Sequence, residues 1–368
     1  MNIARMVTNK KANLPKQLSA FDLFAGAGGF SFAAHAAGFC VKGAIEYDKN
    51  ACQTYRANIV NDDNKTTQLF EGDIIDFDPS DILSKTGVVQ GELDIMIGGP
   101  PCQGFSRHRL KNAGVNDPRN ALLLRYFDFV REFRPKVFLI ENVPGMLWTR
   151  HKSYLERFYK LADAAGYSAV QPVKINAKDF GVPQNRARIF ILGFRDKLPD
   201  SLQWPPAPTH CNPKEAKAKG LLPWSPASVA FSKCSPKDDA NDIHMNHSGD
   251  MIQRFRNTPA NGGSRFDSGF ELPCHKGYKG HRDVYGRIDP SKPGPTITTG
   301  CTNPSKGRFV HPTKHHGITI REAARLQSFP DTFHFAGGLG PAGKQIGNAV
   351  PIKLGEYILN HLAQYIKQ

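Results

Sequence analysis

At 368 residues the chain is long enough for two lobes and a sizeable core, and no apolar run approaches the roughly twenty residues of a membrane span. Lys and Arg number 48 against 33 Asp and Glu, a net charge of +15, which is the electrostatic footprint of a nucleic-acid binder. Seven cysteines, odd in number and without a Cys-x-x-Cys pair, exclude a disulfide framework and fit a reducing cytoplasm.

Residues 1–18 read as a basic tail that lacks the apolar stretch of a signal peptide. Phe21-Asp22-Leu23-Phe24 then begins a short strand that breaks into Ala25-Gly26-Ala27-Gly28-Gly29. Ser31 to Ala37 is helical, with Gly38 closing the helix. Strand, glycine turn, helix is the first unit of a nucleotide-binding α/β sheet. Ser31 stands where the dinucleotide fingerprint wants glycine, which disfavours hydride transfer and leaves open a cofactor lying across the turn.

A second strand, 41–45, ends in Glu46-Tyr47-Asp48. Glu46 is placed to accept hydrogen bonds from ribose hydroxyls, whereas Asp48 also suits the start of a helix over 49–58. A third unit ends at Gly72-Asp73-Ile74, where Asp73 either accepts from an adenine amine or caps a turn.

The apolar run Leu93-Asp94-Ile95-Met96-Ile97 predicts a buried strand, stopped and stiffened by Gly98-Gly99-Pro100-Pro101. Cys102 follows at the edge of the sheet where ligands gather. With a reference pKa of about 8.5 a thiol needs rigid placement or helpful neighbours to act as a nucleophile. The alternative is a small apolar residue in a proline-rich loop. A basic loop follows over 103–116, then a helix from Asp117-Pro118 to about Phe133.

Val137-Phe138-Leu139-Ile140 delivers Glu141 to the same edge, where a carboxylate is costly without a job or a partner. A helix over 153–165 and a strand over 167–175 precede Gln184-Asn185-Arg186-Ala187-Arg188. Alternation puts both guanidiniums on one strand face, suited to phosphate or base-carbonyl contacts. Near residue 200 prolines mark a linker into a loop-rich, basic lobe. There His210-Cys211, Cys274-His275, His244 and His247 match no usual zinc spacing, so no metal is expected. Thr319 with Glu322 forms the signature of a capping box. Gln345 to Pro351 introduces a C-terminal helix with Leu354, Ile358 and Leu362 on one face, expected to pack on the first lobe beside the glycine turn.

Together these residues resemble the DNA (cytosine-5) methyltransferases of bacterial type, whether paired with a restriction enzyme or orphan. The match runs in order through Phe21 to Gly29, Pro100-Pro101-Cys102-Gln103, Glu141-Asn142-Val143, Gln184-x-Arg186-x-Arg188, Arg321-Glu322-x-x-Arg325-Leu326-Gln327 and Gly347-Asn348-Ala349-Val350. The resemblance implies a Rossmann-like α/β methyltransferase sheet with helices on both faces, plus a smaller irregular, mostly β target-recognition lobe. By it, residues 19–200 form the catalytic domain, completed by 340–368, and residues 201–339 form the recognition domain.

The implied cofactor is S-adenosylmethionine, held by Phe21, Ala25, Gly26, Gly28, Gly29, Glu46, Tyr47, Asp73, Ile74, Pro100, Asn348 and Ala349. Cys102 would attack cytosine C6, Glu141 would engage N3, Arg188 would hold O2 and Arg186 would lie nearer phosphate. Gln103, Ser106, Arg107, Arg109 and Lys111 would clamp a flipped base in double-stranded DNA. A cytoplasmic, nucleoid-associated monomer follows, with a cognate restriction endonuclease as a companion. Neither Pro-Pro pair fits an amino-methylating site, and no cysteine precedes Phe as in the tRNA-methylating branch. Intact Cys102, Glu141 and Arg188 argue against a non-catalytic regulator on the same scaffold.

Overall fold

The computed structural model describes residues 17–61, 67–101, 121–269 and 283–367. The expectations for Cys102, Gln103, Ser106, Arg107, Arg109 and Lys111 fall outside the described residues.

Strand β1 (Ser19–Leu23) is buried along its whole length, as the middle strand of a parallel sheet must be. It pairs in parallel with β2 (Cys40–Glu46), which in turn pairs with β3 (Gln68–Glu71). On its other side lie β4 (Ile95–Gly98) and then β5 (Val137–Asn142), both parallel to it. Strands β6 (Tyr167–Ala169) and β7 (Val173–Asn176) each pair antiparallel with β8 (Ala187–Arg195), which runs antiparallel to β5. The order is β3-β2-β1-β4-β5-β8-β6. Because the chain leaves β1 for one side and returns to the other, the order reverses between β1 and β4. Ligands of open α/β sheets bind outside the carboxyl ends of the strands at such a reversal.

Apolar stripes cover both faces. One face buries Val41, Ile97, Leu139 and Leu192 under α1 (Gly29–Ala36) and the last helix, Ile352–Ile366. The other buries Phe21, Met96, Phe138 and Ile191 under the helices Ala121–Phe133 and Lys152–Ala164. The last helix packs directly on α1, where a Cβ on Gly355 would stand 2.8 Å from that of Ala33, so small residues permit the approach. The expected stripe Leu354, Ile358 and Leu362 is the buried one.

Three sequence expectations need correction. The single strand over 167–175 is two strands, because Pro172 has no N–H to continue the ladder with β8. Gln345 to Asn348 is not a lead-in but the end of a helix (Leu339–Asn348), in which burial of Ala342 and Ile346 overrides the poor propensity of its glycines. The smaller lobe is irregular as expected, yet it is not mostly β. Its described strands are two residues long each (His210–Cys211 and Leu222–Pro223), beside short helices and isolated bridges.

Buried arginines, not a ladder, hold those loops. Arg287 donates to the carbonyls of Thr258 (2.9 Å), His311 (2.8 Å) and Phe255. Arg321 forks onto Asp239 (2.6 and 3.0 Å) and donates to the Phe333 carbonyl (3.0 Å). Arg325 forks onto Asp331 and donates to the carbonyls of Lys233 (2.8 Å) and Cys234 (3.0 Å). Thr319 and Glu322 form the capping box that opens the helix Ile320–Leu326.

Candidate active site

The glycine turn leaves β1 through three left-handed residues: Phe24 (φ 61°), Gly26 (φ 57°) and Gly28 (φ 89°). At Gly28 a Cβ would collide with Ile59, so only glycine closes the turn. Among the described residues nothing beyond its chain neighbours lies within 4 Å of where a Cβ on Gly26 would be, which leaves open space over the turn. Glu46, at the tip of β2, ties down this bend. Its Oε2 accepts from the Gly26 N–H (2.8 Å) and its Oε1 from the Asp48 N–H (2.7 Å). Burial pushes the Glu46 carboxyl upward, against the pull of those amides.

Beneath the turn lies a relay that the sequence reading missed. The Ser31 hydroxyl donates to Asp22 Oδ2 (2.6 Å), and the Tyr55 hydroxyl donates to Ser31 (2.8 Å). Asp22 Oδ1 has no hydrogen-bond partner among the described residues. Burial pushes Asp22 up to about 7, and the charge of Glu46 adds to the shift. The signal that could have found it was an aspartate inside an apolar strand, which is costly unless paired.

Phe21 does not face the turn. Its ring is fully buried in the core against Phe133 (4.9 Å between centroids) and Phe70 (6.4 Å), and Phe24 is the phenylalanine at the strand tip. Ala25 is anchored by its N–H to the Ile45 carbonyl (3.0 Å). Tyr47 is 62% exposed beside Glu46. Asp48 caps the helix Lys49–Tyr55 through the N–H groups of Asn50 and Ala51 and pairs with Lys344 (2.7 Å). Asp73 Oδ1 accepts from the Ile75 N–H (3.1 Å), as a turn cap does, while Ile74 is buried. The Gly72 N–H donates to the Glu46 carbonyl (2.9 Å), bringing that turn beside β2. The 349–350 segment lies on the start of α1, where a Cβ on Gly29 would stand 3.0 Å from the Val350 carbonyl and 3.3 Å from Ala349 Cβ; Asn348 is exposed.

The other half of the site lies at the tips of β4 and β5. Asn142 stitches them, donating from Nδ2 to the Pro100 carbonyl (3.3 Å) and accepting from the Val143 N–H (2.8 Å). Glu141 is buried, and Arg188 on the adjoining β8 brings Nε to 2.8 Å from its Oε1. Among the described residues that contact is an ion pair without a hydrogen bond to Oε1, so the carboxylate keeps acceptor capacity at the strand edge. A Cβ on Gly99 would stand 3.4 Å from Oε2, so glycine there keeps the space beside the carboxylate clear. The turn that leaves β4 runs through Gly99-Pro100-Pro101 toward Cys102.

Arg186 is not beside Arg188 on a strand face. It precedes β8, is buried, and donates to the carbonyls of Ile297 (2.7 Å), Gly347 (2.9 Å) and Ala349 (3.0 Å), leaving no guanidinium face for a phosphate. Gln184 is buried likewise, bonded to Leu326, Gln327 and Ile297. Among the described residues no three His, Cys, Asp or Glu side chains are placed to share a metal ion, and His244 stacks on His316 with centroids 3.9 Å apart. No described helix is long and apolar enough to cross a membrane.

A reversed-order, mostly parallel sheet with a glycine turn, a strand-tip acid and a second buried carboxylate at the neighbouring tips defines an open α/β fold whose ligand site lies at the carboxyl ends of its strands. The sequence profile of the C-5 cytosine-specific DNA methylases matches residues 18–364, and the chain belongs to that family of enzymes. The type II methyltransferase M.NgoFVII of Neisseria gonorrhoeae is 34% identical over 344 residues, spanning 93% of this chain and 85% of that protein. M.Sau96I of Staphylococcus aureus is 32% identical over 370 residues, spanning 98% and 79%. Among solved structures, a DNA modification methyltransferase from an Escherichia coli prophage superposes with a TM-score of 0.67 at 26% identity, covering 95% of this chain and 100% of that one. A Spodoptera frugiperda DNMT2 variant shares the fold, with a TM-score of 0.61 at 15% identity over 95% and 100%.

Proposed function

We propose that the chain transfers a methyl group from S-adenosylmethionine to C5 of a cytosine flipped out of a specific double-stranded DNA sequence, through a covalent Cys102–C6 intermediate. The observation that carries this reading is the buried Glu141–Arg188 pair at the tip of β5, stitched by Asn142 to the β4 turn that leads into Cys102.

The donor's chemistry fits the residues present. An acid pinned by turn amides suits ribose hydroxyls, and the space over Gly26 suits an extended ligand. Phe24, Ala25, Gly26, Gly28, Gly29, Glu46, Tyr47, Asp73, Ile74, Pro100, Asn348 and Ala349 would hold it. When bound, S-adenosylmethionine supplies an electrophilic methyl group on a sulfonium.

Cytosine C5 is a poor nucleophile on its own. Addition of the Cys102 thiolate at C6 converts the ring to an enamine with electron density at C5. Glu141 shares a proton with N3, so that negative charge does not build up in the ring. Arg188 holds Glu141 in place and directs its remaining donors to O2. The C5 proton of the methylated adduct then leaves to solvent, its electron pair re-forms the C5–C6 double bond, and the C6–S pair returns to Cys102 as the thiolate. None of these atoms is reachable in a stacked duplex, so the base must be everted, and the basic residues Arg107, Arg109 and Lys111, with Gln103 and Ser106, would clamp it.

Residues 201–339 would read the target, on a catalytic domain of 19–200 completed by 340–368. The type II names of the relatives support a companion endonuclease sharing that site, and the protein would work as a cytoplasmic monomer on the nucleoid. A duplex carrying 5-fluorocytosine at the target tests the reading. With S-adenosylmethionine present it should trap a stable adduct on Cys102, and Cys102→Ser should bind DNA without forming one. No adduct with the wild-type chain overturns the mechanism.

A further inference from the structure

One rigid guanidinium fork joins two segments that are far apart in the chain. Arg186 Nη1 donates to the Ile297 carbonyl (2.7 Å), and Nη2 donates to the carbonyls of Gly347 (2.9 Å) and Ala349 (3.0 Å). Gly347 presses so closely on the Thr298–Thr299 peptide that a Cβ would collide with it. Two glutamines reinforce the junction. Gln184 Oε1 accepts from the Ile297 N–H (2.8 Å), and Gln327 Nε2 donates to the Ile346 carbonyl (2.7 Å). The Gln184 Nε2 group donates to Gln327 Oε1 (3.0 Å), so the arginine and the glutamines brace one buried web. On its far side the 349–350 segment touches the start of α1, at Gly29. The fork therefore sets how closely residues 347–350 stand to the glycine turn.

We propose that Arg186 is a positioning residue for the methyl donor: by holding the Gly347 and Ala349 carbonyls it places Asn348 and Ala349 at the donor's methionine end, and it links segment 297–299 of the second lobe to donor binding. The proposal rests on the donor site described under the proposed function. A phosphate contact would require a buried guanidinium to give up carbonyl bonds that already use its fork. Lysine, a point charge on a flexible stem, cannot span the three acceptors.

Donor and DNA affinities of the full-length chain, each measured separately by calorimetry, test this. For Arg186→Lys the dissociation constant for S-adenosylmethionine should rise about tenfold or more while that for duplex DNA shifts less than about threefold. The rate loss should fall in kcat/KM for the donor more than in kcat. Gly347→Ala, which displaces the same carbonyl from the other side, should move donor affinity in the same direction and serves where Arg186→Lys does not fold. Weaker DNA binding at unchanged donor affinity would make Arg186 a phosphate contact and overturn the proposal. A lowered melting temperature with both affinities unchanged would reduce it to a structural brace and overturn it equally. Glu46→Ala separates the two readings. If it leaves donor affinity intact while Arg186→Lys weakens it, the donor site at Glu46 is misplaced; if Glu46→Ala weakens donor binding and Arg186→Lys does not, the role of Arg186 is refuted.

Discussion

Glu141 and Arg188 meet across the antiparallel β5–β8 pair, with Nε 2.8 Å from Oε1 and side-chain exposures of only 9% and 12%. Glu141→Gln keeps the shape and the neighbours of the carboxyl but removes its exchangeable proton. Turnover should fall by about 100-fold or more while DNA and donor affinities change little, as single-turnover rates beside equilibrium binding would show. Arg188→Ala should do more, since it also leaves a buried carboxylate without its counter-charge.

Asp22 gives the fold a pH dependence of its own. Its folded-state value, raised to about 7 from 3.8, means that the native state holds a proton which the unfolded chain has released between those values. Its contribution to stability is full below 3.8 and is lost as pH rises through about 7. Asp22→Asn removes that term, so the variant should melt several degrees above wild type at pH 8 and converge with it toward pH 5. Equal melting temperatures at both pH values would refute the assignment.

His247 and His316 have the opposite sign. Burial lowers His316 and His247, and the charge on His244 lowers both further; His311, at 5.5 Å between ring centroids, also lowers His316. Against this, the Gly317 carbonyl and Glu322 raise His316. Depressed folded values mean that stability is present above 6.5 and is lost as pH falls below it. Protection factors against hydrogen exchange in the 244–257 and 311–322 segments should therefore fall between pH 6.5 and 5, and His316→Gln should blunt that slope.

Exchanging residues 200–285 for the matching segment of a related enzyme should move methylation to that enzyme's target. Bisulfite sequencing of DNA from expressing cells reads the outcome. Methylation at the original site would place recognition elsewhere in the chain.

The strand-tip residues were legible because each apolar run ends abruptly in a chemical group: Ile45 before Glu46, Ile140 before Glu141. Likewise the Thr319–Glu322 spacing encodes its cap locally. Phe21 misled because β1 is buried on both faces, so alternation carries no sign of which ring looks toward the turn. Arg186 misled for a different reason. Its partners lie 111 to 163 residues away, and no spacing near position 186 reports them. The loops of the smaller lobe were unreadable because arginine-to-carbonyl bonds, unlike a strand or a helix, leave no period in the sequence.

The close seat of the last helix on α1 has a consequence for synthesis. Phe30, Ala33 and Ala34 emerge from the ribosome long before Leu354, Ile358 and Leu362 exist to cover them. A message cut short before codon 352 would thus leave the apolar side of α1 uncovered. Such a product is fodder for chaperones and proteases, not a weak enzyme.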